Sequence, residues 1–127
     1  MVRQVISTEA APKAIGPYSQ AIVHNGIAYL SGQIPLHPVT GQVVEGGIEA
    51  QTEQVLMNLG SVLAACGSSF GLVLKTTIFV ADMNDFAKVN EIYGKYFPNE
   101  PPARATVQAA KLPRNVLVEI EAIAAVA

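Results

Sequence analysis

Only two stretches of this 127-residue chain repeat apolar side chains at helical spacing, and both are too few to cover the strand-like remainder. In the first, Ile48, Thr52, Val55, Leu59, Val62 and Cys66 step by four and three, with Leu56 and Leu63 widening the stripe. That pattern predicts one helix with a single apolar face, stopped by Gly67. In the second, Phe86, Val89, Tyr93 and Phe97 form a stripe that Asp82 or Asn84 can cap and Pro98 ends.

The rest reads as strands and turns. Asn25-Gly26 splits "QAIVHNGIAYLSGQ" into two β-prone runs, and Asn-Gly supplies the positive φ angles of a tight hairpin turn. "LVLKTTIFVADM" is rich in β-branched residues and reads as a buried strand; "ARATVQAA" and "NVLVEIEAIAAVA" supply two more around a turn at Lys111 to Asn115. Short extra strands are expected at Arg3 to Ser7 and near Gln42 to Val44, the latter inside a Pro- and Gly-punctuated loop. The sum is an α+β sandwich, two helices on one face of a mixed or antiparallel sheet, in a single domain over residues 1–127. No helix is left for the other sheet face. With only 14% charged residues and a mean hydropathy of +0.34, that face is expected to be covered by further copies of the chain.

Composition also narrows the chemistry. The net charge is −2 and the 8 Lys and Arg residues are scattered, which disfavours nucleic-acid binding. No segment approaches the roughly 20 apolar residues of a membrane span, and "MVRQVISTEAAPK" lacks a signal-peptide core, so a soluble, cytoplasmic protein is expected. One cysteine, Cys66, and two histidines without ligand spacing leave no disulfide and no metal site to expect, nor does any phosphate-binding loop indicate a nucleotide cofactor. Carboxylate, guanidinium, hydroxyl and amide groups remain.

Those groups concentrate at a few places. Residues two apart in a strand share a face, so Glu119 and Glu121 lie together on one side of the last strand, opposite Val118, Ile120 and Ala122. They are either the solvated end of a sheet face or the lining of a pocket in which burial tunes a carboxyl for proton transfer. Arg104 follows the rigid Pro101-Pro102 pair at the mouth of a strand. It is either a surface cation or a planar fork for a small carboxylate. Asn90 is an unexpected amide on the face of Phe86, Tyr93 and Phe97, while Gly16-Pro17 fixes the chain ahead of Tyr18. Ser31 and Gly32 end a strand where a ligand can approach the backbone.

Taken together, "AIGPYSQA", "LSGQIP", "TTIFVADMNDFAKVNEIY" and "PPARATVQAAKLPRNVLVEIEAIA" closely resemble the Rid family of reactive intermediate deaminases, in its RidA branch, over nearly the whole chain. The resemblance implies a chorismate-mutase-like βαββαβ sandwich assembled as a homotrimer with pockets between subunits. It implies cofactor-free hydrolysis of 2-iminobutanoate and 2-iminopropanoate to 2-oxo acids and ammonia. Under it Arg104 clamps the substrate carboxylate, Glu119 holds the attacking water, and Tyr18, Ser31, Gly32, Asn90 and Thr106 line the site. Thr106 stands where several members of that family carry Cys, so no thiol at that position is required here. The choice between Glu119 and Glu121 stays open. Rival readings are chorismate rearrangement, which calls for more cations than Arg104 alone, a non-enzymatic small-carboxylate-binding regulator, and, third, RNA cleavage or translation inhibition.

Overall fold

Asn25 and Gly26 both take positive φ, 52° and 76°, and close a two-residue turn between β2 (Ala21–His24) and β3 (Ile27–Gln33). This hairpin starts the sheet of the computed structural model, which describes residues 2–127. The short β1 (Gln4–Ile6) pairs antiparallel with β2, and β3 pairs antiparallel with the last strand, β6 (Val118–Ala125). β4 (Val73–Val80) lies on the other side of β6, and β5 (Ala103–Gln108) closes that edge, giving the order β1-β2-β3-β6-β4-β5.

The sheet is mixed because β4 and β5 run parallel while the other pairs are antiparallel. A parallel pair cannot be joined by a tight turn, and the helix α2 (Phe86–Tyr96) makes the crossover. This corrects the βαββαβ order: one strand, not two, separates α1 (Ile48–Ala65) from α2, and the order from β3 onward is βαβαββ. The expected strand at Gln42 to Val44 shrinks to a single bridge between Leu36 and Val43, whereas the expected N-terminal strand forms as β1.

Every residue of the first helical stripe is buried, Thr52 and Cys66 included. The helix ends as its glycine requires: Gly67 takes φ 76°, its N–H bonds the Ala64 carbonyl, and Ser68 N–H reaches back to Leu63. The start of α2 differs from expectation by one short turn. Asp82 caps a 3-10 turn, Met83–Asp85, by accepting from Asn84 N–H at 2.8 Å, and α2 proper begins at Phe86. Both helices pack on one face of the sheet, over Ile78, Val80, Val118, Ile120 and Ala122. Among the described residues no helix covers the opposite face, which exposes Tyr29 and Val107.

Three buried amides tie loops to this core. Gln20 accepts from Thr8 N–H and donates to the Thr8 and Pro12 carbonyls, which folds the 8–20 segment onto the sheet. Gln51 accepts from Leu117 N–H at the start of β6. Asn58, 1% exposed, donates to the carbonyls of Ile34 and Leu36 and so holds the chain as it leaves β3. Replacing Asn58 with Ala strands the buried Leu36 carbonyl, while the Ile34 carbonyl keeps the Leu36 N–H. The expected loss, measured by urea unfolding, is about 2 kcal/mol.

Candidate functional site

The β3–β6 pairing slips between Leu30 and Gln33, so the backbone at Ser31 and Gly32 departs from the regular ladder. Gly32 leaves room for the carboxylate of Glu119, which a Cβ at that position would force to move. Ser31 is held by donating its hydroxyl to the Ser19 carbonyl at 2.6 Å, and its own N–H bonds the Gln20 carbonyl. These contacts put Tyr18, Ser31, Gly32 and Glu119 around one cleft of about 620 Å³. Glu121 lines the same cleft, two residues along β6 on the same face.

Glu119 is half-buried, and Glu121 is exposed. Desolvation, and then the neighbouring Glu121 charge, push the Glu119 carboxyl above its ordinary value of 4.5. Sequence reasoning did not anticipate two cations of this cleft, Lys13 and Arg114. Arg114 is placed by backbone geometry that a sequence pattern does not announce: it and Asn115 both take left-handed φ, 56° and 57°, and its guanidinium donates to the Gly41 carbonyl.

Arg104 and Asn90 lie elsewhere. Arg104 pairs with Thr76 across β4 and β5, and Thr76 points into the core, where its hydroxyl meets Tyr93 of α2. Arg104 consequently projects on the helix side of the sheet. There its Nη1 donates to Asn90 Oδ1 at 2.6 Å, and its guanidinium lies over the rings of Phe86 and Tyr93. A second cleft of about 390 Å³, walled by Tyr93, Phe97, Pro101 and Pro102, opens beside it. Thr106, two residues on, shares this side, and its buried hydroxyl has no hydrogen-bond partner among the described residues.

Within one chain the candidate residues thus fall into two clusters. Glu119 pairs with Phe79, out of phase with the Thr76 and Ile78 positions that face the helices, so it opens on the uncovered face. Arg104 is two strands away, roughly 10 Å along the hydrogen-bonding direction, on the opposite side. A small molecule cannot touch both within one chain. Among the described residues no group of three His, Cys, Asp or Glu side chains could hold a metal ion, and no helix is long and apolar enough to cross a membrane.

Comparison with known proteins places these clusters in context. The family model described as endoribonuclease L-PSP matches residues 8–126. A mouse protein named 2-iminobutanoate/2-iminopropanoate deaminase is 55% identical, with 98% of this chain and 92% of that protein covered. A Yersinia pestis structure from the conserved Rid protein family superposes with a TM-score of 0.94 at 52% identity, covering 98% of this chain and 100% of that one. Escherichia coli TdcF, solved with bound serine, gives a TM-score of 0.93 at 40% identity, covering 98% and 99% respectively.

Because its carboxyl is raised on folding, Glu119 binds its proton more tightly in the native state than in the unfolded chain. Stability therefore falls as pH rises from the unfolded carboxyl's ordinary value through the raised native one. Glu119→Gln is expected to melt above wild type at pH 7 to 8, with the difference vanishing below the ordinary value of 4.5, as read by thermal melts across pH. Gly32→Ala should displace the same carboxylate and lower the native pKa of Glu119, followed by carboxyl NMR titration.

Proposed function

This chain belongs to the endoribonuclease L-PSP (Rid) family, and from that premise we propose that it is an enzyme that hydrolyses 2-iminobutanoate and 2-iminopropanoate to 2-oxo acids and ammonia. One observation carries the assignment of roles. A half-buried carboxyl is held against a glycine with its pKa raised, while a guanidinium that no carboxylate among the described residues neutralises stands in a separate cleft. The first is suited to managing a water and its protons, and the second to gripping an organic acid. The serine bound by TdcF is an amino acid with the same α-carboxylate.

The opposite-sided placement of the two clusters gives the assembly its role. Arg104, Asn90 and Thr106 of one subunit meet Glu119, Tyr18, Ser31 and Gly32 of a neighbour across the uncovered sheet face, in a closed homotrimer with three such sites. Residues 1–127 act as one unit in the cytoplasm. Arg104 holds the carboxylate of the protonated imine, and Glu119 orients a water toward the imine carbon. The water oxygen bonds that carbon as the C=N π electrons move to nitrogen, and Glu119 takes the water's proton. Glu119 then returns that proton to the carbinolamine nitrogen, the C–N bond breaks with its electron pair leaving on ammonia, and the oxygen forms the carbonyl as its remaining proton passes to Glu119. An imine is already electrophilic once protonated, so no catalytic Lys, metal or cofactor enters the scheme. Fixing both reactants replaces two diffusional encounters with one geometry.

The family description points to a second activity, RNA cleavage. A chain of net charge −2 with scattered cations offers little to a phosphate backbone, and the deaminase reading takes precedence.

The test generates the imine with an amino-acid oxidase and traps what survives with semicarbazide. Wild type should outcompete the trap. Arg104→Ala should lose about 100-fold or more in kcat/KM, the worth of two charge-assisted hydrogen bonds. Glu119→Gln should lose about 10²- to 10⁴-fold, mainly in kcat. Wild-type activity should also rise with pH as the raised Glu119 carboxyl ionises. A wild type that never outcompetes the trap overturns the reading.

A further inference from the structure

The carboxylate clamp of the proposed reaction needs a guanidinium that is both immobile and fully charged, and α2 supplies the first without spending the second. Phe86, Asn90 and Tyr93 are spaced by four and three residues and share one face of that helix. The Cζ of Arg104 sits 5.3 Å from the ring centroid of Phe86 and 5.1 Å from that of Tyr93, within cation–π range of both. Its Nη1 is taken by the neutral Asn90 amide oxygen, which leaves the Nε–Nη2 edge for a ligand. Among the described residues the single ion pair, Lys88 with Glu49, does not involve Arg104.

Tyr93 is itself fixed. It is 4% exposed and its phenol shares a 2.6 Å hydrogen bond with Thr76 Oγ1, 1% exposed, on the residue that pairs with Arg104 in the β4–β5 register. The ring is thus tied to the strand beside the one that carries the arginine. We propose that Phe86 and Tyr93 are positioning residues for Arg104, forming with Asn90 a charge-neutral grip that orients the guanidinium while leaving its charge for the substrate carboxylate. A carboxylate in the same place would hold Arg104 as well but would compete with the ligand for it. The inference rests on the deaminase reading for what Arg104 binds, but not for how it is held.

Phe86 is the member to vary, since it is only partly buried at the first turn of α2. Phe86→Leu should raise KM for 2-iminobutanoate roughly 3- to 10-fold with kcat within about twofold, the signature of lost uniform binding. Phe86→Tyr restores a ring face and should return KM to wild type. Asn90→Asp keeps the acceptor but adds the competing charge, and should raise KM further than Asn90→Ala. Placed in an Arg104→Ala background, Phe86→Leu should change kcat/KM no further, because the residue acts only through the arginine. A Phe86→Leu effect of the same size in both backgrounds, or equal effects of Leu and Tyr at position 86, would overturn the proposal.

A readout independent of turnover separates this idea from the reaction itself. In side-chain NMR spectra, the Arg104 Nε–H should be shifted upfield by the two ring currents, and Phe86→Leu should move it back toward a free arginine. An unshifted wild-type signal sinks the grip whatever the enzyme does. A shifted signal in a protein without imine hydrolysis keeps the grip and discards the substrate.

Discussion

The pairing of β6 between β3 and β4 organises this molecule. Its alternation sends Val118, Ile120, Ala122 and Ala124 into the core beneath the helices, and Glu119 and Glu121 to the other side. A slip of one residue would bury both carboxyls and expose four core residues, so the register is strongly specified. Gln51 on α1 fastens the start of this strand through Leu117 N–H, and Ser68 fastens its far end through the Ala125 carbonyl. The bulge at Ser31 and Gly32, in the strand alongside, makes the space in which the Glu119 carboxylate rests.

The parallel edge sets the other half of the chemistry. Because β4 and β5 run the same way, α2 must cross over them, and its aromatic face lands on the first residues of β5. Arg104 is met there by Phe86, Asn90 and Tyr93 as a consequence of topology, with Glu100 at φ 44° and the two prolines turning the chain into the strand. The buried hydroxyl of Thr106 lies on the same side and finds no hydrogen-bond partner among the described residues. Under the proposed reaction, an acid–base group and an anion clamp on opposite sides of one sheet give the protein a physical reason to assemble.

Much of this architecture was legible in the residues. Two helical stripes, the Asn25-Gly26 turn, the Gly67 stop and the alternation of the last strand all appear in the structure as local rules demand. The cap of α2 and the strand near Gln42 were misplaced because short 3-10 turns and isolated bridges depend on contacts that no local pattern encodes. Lys13 and Arg114 escaped notice for a related reason: one sits in a loop held by Gln20, the other on left-handed backbone, and neither belongs to a periodic element.

Sequence by itself determined which residue types carry chemistry and which strand face each occupies, since side-chain alternation is a property of the chain alone. It also determined that the core is built from two helices against a sheet with one side left open. Tertiary structure decided that strand order puts β4 between β6 and β5, and therefore that Arg104 and Glu119 do not share a pocket within one chain. It decided, too, that the Glu119 side chain is half-buried while Glu121 is exposed. Strand order and burial are set by packing between residues far apart in sequence, and no spacing along the chain carries that information.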